Sequence, residues 1–211
     1  VGAQLKAMRK QYIAQFGDFA LVRDQQQPLS KAEHLAMLAT LRNYQIVPWS
    51  IERHDGLLMY VAVAANIGCR SDEQCDDDGI KRANFVPVNE HGAELEVTPD
   101  NIQAWRRNGA MLRGRSSKTK CDQDNSHWGS RDIWLLYDDA NPLSLPVIWA
   151  EYELKYPCPP SERAKWPMAS PTCGKMTYST SVAAADHKTM CVAALGEEVG
   201  RKKTPHAHRV T

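Results

Sequence analysis

No stretch of the 211 residues comes near the roughly 18 consecutive apolar side chains that a membrane helix needs; the longest apolar run, from Leu57 to Ala65, has the length of a strand. Charge of one sign is missing as well. Lys and Arg number 26 against 25 Asp and Glu, a net of +1, so no global field draws the chain to nucleic acid or to an anionic membrane. None of the six cysteines, at positions 69, 75, 121, 158, 173 and 191, stands in a Cys-x-x-Cys pair, which weakens the zinc-ribbon and thioredoxin readings. The phosphate-binding loop, Gly-x-Gly-x-x-Gly and Gly-x-Ser-x-Gly are absent. There is no internal repeat and no linker, so the length bounds one domain over residues 1–211 with a sizeable core.

The cysteines are even in number, widely spread and set in polar, turn-rich surroundings. That pattern predicts disulfides, with Cys69–Cys75 pinning a small acidic knob, and hence an extracytoplasmic location, periplasmic or secreted. The start at Val1 fits an upstream signal or anchor that has been removed.

Residues 1–48 read as helical. Leu5, Met8, Tyr12 and Phe16 recur at helical spacing before Gly17, and Ser30 with Glu33 forms a capping box ahead of Leu35, Leu38 and Leu41. Leu57–Ala64, apolar on both faces, predicts a strand in a sheet interior. Phe85–Val88, with Pro87 inside it, predicts an edge strand. Thr98-Pro99 opens a helix that runs to Gly109.

Asp132–Tyr137 reads as a strand. From Ile148 to Tyr156 the residues Ile148, Ala150, Tyr152, Leu154 and Tyr156 alternate with Glu151, Glu153 and Lys155, a period of two that predicts a central strand. On that reading Trp149 falls on the charged face and needs a partner to cover it. The proline-rich stretch 157–171 should wrap the surface, Ser181–Leu195 with Gly196 behind it reads as a short helix with a strand from Thr189 to Leu195 as the alternative, and 197–211 is a flexible tail. The expected fold is α+β: two N-terminal helices packed on an antiparallel sheet in a single disulfide-stapled domain.

Functional residues are few. Asp76-Asp-Asp-Gly79 lacks the EF-hand Glu, with Phe85 in its place, and reads as a solvated acidic loop. Asp186-His187, with His127, supplies imidazole and carboxylate for a secreted hydrolase or toxin domain; the His206-Ala-His208 tail offers further imidazoles. No metal or cofactor is expected. The basic residues Arg106, Arg107, Arg113, Arg115, Lys118 and Lys120 have no acidic residue among them, which makes 106–120 the candidate partner surface. With only Trp105 nearby for base stacking, a protein or glycan partner is favoured over nucleic acid.

Ser117-Lys-Thr-Lys120 resembles the Ser-x-x-Lys element of serine penicillin-binding enzymes, without the Ser-Asp-Asn or Lys-Thr-Gly that accompany it. Tyr178-Ser-Thr-Ser181 resembles the aromatic-Ser-Thr-Ser element of some ADP-ribosyltransferases, whose catalytic Glu lies further downstream than Glu197 or Glu198. The order helix, helix, sheet and cysteine-bounded late region resembles that of type IV pilin-like subunits. The function expected first is therefore a binding or assembly module of the cell envelope or exterior, with the hydrolase or toxin as the alternative.

Overall fold

The computed structural model describes residues 29–67, 71–75, 79–107, 111–114, 132–138, 140–171 and 179–205. The expected first helix, Cys69, Cys121, Cys173, Arg115, Lys118, Lys120, His127, His206 and His208 lie outside them. In chain order the elements are α1 (Lys31–Arg42), α2 (Ile51–Ile67), α3 (Ser71–Cys75), β1 (Phe85–Val88), α4 (Ile102–Arg107), β2 (Met111–Gly114), β3 (Ile133–Leu136), α5 (Leu145–Lys155), α6 (Thr180–Leu195) and α7 (Glu197–Gly200).

The capping box forms as the sequence predicts. Ser30 Oγ accepts from the Glu33 amide at 3.2 Å, and Glu33 Oε2 accepts from the Ser30 amide at 2.7 Å. α1 buries His34, Met37, Leu38 and Leu41 against α6 and α2.

α2 replaces the expected interior strand. Every residue from His54 to Ala64 is buried, because α1, α5 and α6 pack around it. A helix enclosed on all sides is apolar all round, so its sequence carries no face and matches a buried strand equally well.

The central strand is likewise a helix. Leu145, Ile148, Trp149 and Tyr152 are buried as the i, i+3, i+4, i+7 stripe of one helix face, with Pro146 and Ala150 buried beside it. Pro146 sits in the first turn, where a missing N–H costs nothing, and so it starts α5 instead of marking a turn. Trp149 is therefore on the inside with Tyr152, and the two-face assignment falls.

The sheet is small: three antiparallel strands in the order β1-β2-β3, with Phe85 opposite Gly114 and Gly114 opposite Ile133. Both strands expected at 85–88 and 132–137 are present. Arg113, nominated for the partner surface, is a strand residue of β2. The sheet's main helical neighbour is α5, whereas α1 packs on other helices. The molecule is α+β, with three strands set between helices that precede and follow them.

Two further expectations change. Residues 71–75, placed in a cysteine-closed knob by the sequence, form the short helix α3 with Gln74 and Cys75 buried, while Cys69 and residues 76–78 lie outside the described residues. The supposed tail continues into α7, which packs on α6 so closely that a Cβ on Gly200 would lie 2.5 Å from the Cys191 carbonyl carbon. Lys203 beyond it is buried and pairs with Glu33 at 2.8 Å. The 157–171 stretch does lack regular structure, and it is stitched to 80–83 by Met168 N–H to Ile80 O at 2.9 Å and Ala83 N–H to Arg163 O at 3.1 Å.

Candidate functional site

Of the residues nominated for catalysis the structure describes Asp186 and His187, and these two do not converge. Asp186 and His187 are neighbours on α6, about 100° apart around the helix, and each is committed elsewhere. Asp186, 1 % exposed, accepts from Arg53 Nε at 3.0 Å and Nη2 at 2.5 Å, while the Arg53 guanidinium stacks over Trp49 at 4.4 Å. His187 is fully buried, and burial lowers its pKa to about 4, so it is a neutral ring at physiological pH. Cys191 Sγ lies 3.7 Å from its Nδ1 and 3.8 Å from its Nε2. Near-equal distances place the sulfur opposite the ring as a whole, not on either nitrogen's lone-pair direction.

Burial pushes the Cys191 thiol up to about 12, and its S–H points to Met37 Sδ at 3.7 Å. An activated Cys–His pair needs the opposite shift in the thiol. No disulfide is present among the described residues, where Cys75, Cys158 and Cys191 are all buried. The stapling expected from the sequence is therefore not found there, and Cys191 behaves as a small apolar side chain. Native protein at pH 8 should leave Cys191 unmodified by iodoacetamide, its thiolate being roughly a thousandfold scarcer than at an ordinary cysteine. Unfolding in urea without reductant should expose it to prompt alkylation, read by peptide mass mapping. Protection that survives urea would mean that Cys191 is bonded.

Two of the nominated basic residues, Arg106 and Arg113, are paired within the chain. Arg106 and Arg42 both reach Glu151 at 3.4 Å. Arg113, with a side chain 18 % exposed, pairs with Glu94, meets Asp132 at 3.8 Å and lies 5.8 Å over the Trp134 ring. Arg107 is exposed at the end of α4. Cations already matched by neighbours offer little to an anionic partner.

A polar cluster that the sequence did not suggest joins α2 to α5. Asp55 Oδ2 accepts from Lys155 Nζ at 2.5 Å and Tyr156 OH at 2.7 Å, and Tyr44, held at φ 52°, donates to Oδ1 at 3.4 Å. Desolvation by itself would lower the Lys155 pKa, but its bonds to Asp55 and Tyr44 prevail and raise it above the ordinary lysine value. Burial, then the hydrogen bond to Asp55, raises Tyr156 too. Both proton donors hold their protons more tightly, the reverse of what a base or nucleophile requires, so the cluster is a latch between helices.

A further site is an open groove of about 620 Å³ between β1, the 94–97 segment, α5 and the prolines that follow it. Phe85, Pro87, Leu95, Val97, Trp149 and Pro160 give it an apolar lining, and Glu153 and Arg163 close one part of it. Helical spacing puts Trp149 and Glu153 one turn apart on the same side of α5. Trp149 is 2 % exposed and packs edge-on to Trp105, with ring centroids 6.2 Å apart. Trp105 Nε1 donates to Val88 O at 2.9 Å, whereas Trp149 Nε1 has no acceptor.

Glu153, its side chain 9 % exposed, gives only Oε2 to cations: Arg163 Nη1 at 2.7 Å and the fully buried Arg82 Nη1 at 3.6 Å. Its Oε1 has no donor. The groove edge is closed to strand addition, because Pro87 has no N–H and its outward carbonyl already accepts from Leu95 N at 3.0 Å.

Among the described residues no group of three or more His, Cys, Asp and Glu is arranged to hold a metal ion, and no helix is long and apolar enough to cross a membrane. Of the nominated residues that the structure describes, Trp149 alone lies at the groove, and it lines the wall from inside the fold. The signal available beforehand was the pairing of Trp149 with Glu153 at helical spacing, hidden by the period-two reading. Fold and site together describe an α+β protein with a tryptophan-walled surface groove. No protein-family model matches the chain, and no curated protein or solved structure matches it either.

Proposed function

We propose that the protein is a non-catalytic binding module that holds a polypeptide segment of a partner protein in the groove beside α5. The observation that carries this reading is an open apolar groove with a buried, unsatisfied indole N–H in its wall. Leaving such a group without a partner costs about 1–3 kcal/mol, and a ligand carbonyl would recover it. The inward commitments of Asp186, His187 and Cys191, and the tightened protons of Lys155 and Tyr156, support binding over catalysis.

Selection of random linear peptides on the immobilised protein tests the reading. Peptides retained by the native chain should be lost by the double variant Val86→Lys, Pro160→Arg, both positions lying at the groove with Pro160 exposed and Val86 half-buried. Its circular dichroism and urea midpoint should remain close to those of the parent. No retained peptide, or peptides held equally well by the variant, would remove the groove as the site.

A further inference from the structure

We infer that the groove recognises the main-chain edge of an extended segment, Trp149 Nε1 donating to a peptide carbonyl and Glu153 Oε1 accepting a peptide N–H. This rests on the polypeptide reading above and specifies its contacts. Trp149 and Glu153 both line the groove, one helical turn apart, about 6 Å along the axis, and Nε1 of the one and Oε1 of the other are buried without a hydrogen-bond partner. In an extended chain the N–H and C=O of a single residue point to the same side, several ångströms apart, so one residue presents the complementary pair.

Charge selects a neutral donor for Glu153. Two guanidinium groups, Arg163 and Arg82, already face Oε2, so a third cation would gain little, whereas an amide N–H adds no charge. Main-chain addition to β1 itself is barred by Pro87, which leaves the α5 side as the polar contact and the apolar lining for the ligand's side chains. Both atoms are sealed from water in the unliganded chain, so entry of a segment shifts rim side chains by the rotamer changes usual at interfaces.

The test uses the intact protein and a peptide from the selection above. Each backbone N–H of that peptide is methylated in turn, and the affinity is measured by calorimetry. One position should lose at least about tenfold, the loss expected when a buried acceptor goes unmatched. The Trp149 indole ¹⁵N–¹H signal, assigned by its disappearance in Trp149→Phe, should move downfield when the unmethylated peptide binds. A groove-dependent peptide that tolerates methylation at every position and leaves the indole signal unmoved would overturn the main-chain contact while leaving the groove as the binding site. Absence of any groove-dependent peptide overturns the reading on which the inference rests.

Discussion

Replacing Arg82 with Met should lower the free energy of unfolding by about 3–5 kcal/mol, the penalty for breaking a buried ion pair by removing one partner. Arg82 is fully buried. Its Nη1 donates to Tyr156 O at 2.6 Å, its Nη2 to Ser170 O at 2.8 Å and to Pro171 O at 3.0 Å, and its guanidinium lies 4.9 Å from the Tyr152 ring centroid. One side chain thus ties the end of α5 to the 167–171 stretch, and its backbone carbonyl accepts from Arg163 Nη2 at 3.3 Å. Methionine keeps much of the volume but leaves three carbonyls without this donor and Glu153 with one cation fewer. Lysine should restore little, since a point charge cannot reproduce the planar fork. Urea unfolding of the parent and both variants measures the effect; a loss below about 1 kcal/mol would place Arg82 among ordinary surface charges.

Trp149→Ala should cost about 3–5 kcal/mol, comparable to Tyr152→Ala, because both are large buried side chains on the inner face of α5. A strand reading makes the opposite forecast, with Trp149 mild and Tyr152 severe. Trp149→Phe should be much milder than Trp149→Ala: it retains an aromatic ring against Trp105 and gives up an N–H that has no acceptor in the free protein. Equilibrium melts of the three variants distinguish the helix from the strand. A small effect of Trp149→Ala beside a large one of Tyr152→Ala would restore the alternating faces.

The misreading of α5 has a specific cause. The sequence from Leu145 to Lys155 contains both periods at once: alternate residues from Ile148 are apolar, and so are Leu145, Ile148, Trp149 and Tyr152. Tertiary packing against α2 selected the 3.6-residue stripe. Leu154, placed inside by the strand reading, is only half-buried, while Trp149, placed outside, is covered. The same arbitration turned Leu57–Ala64 into part of α2, where burial on every side erases the amphipathic pattern that identifies most helices. The first of these errors concealed the candidate site: a strand spaces Trp149 and Glu153 about 13 Å apart along a charged face, whereas the helix sets them one turn apart beside the groove.

By itself the sequence determined what local chemistry decides. Ser30 and Glu33 fixed the start of α1 through bonds made within three residues of each other, and Pro87 kept β1 at an edge. An α+β composition and the absence of a long apolar span followed from the same reading. Only the tertiary structure decided which apolar runs became helices and which nominally reactive groups were locked away: Asp186 by Arg53, His187 and Cys191 by burial, Arg106 and Arg113 by carboxylates from distant segments. It also created the groove, whose walls come from residues 85–97 and 149–163. Contacts between residues so far apart in the chain leave no periodic trace in it, since nothing in local propensity records which distant side chain will complete a charge or cover a ring.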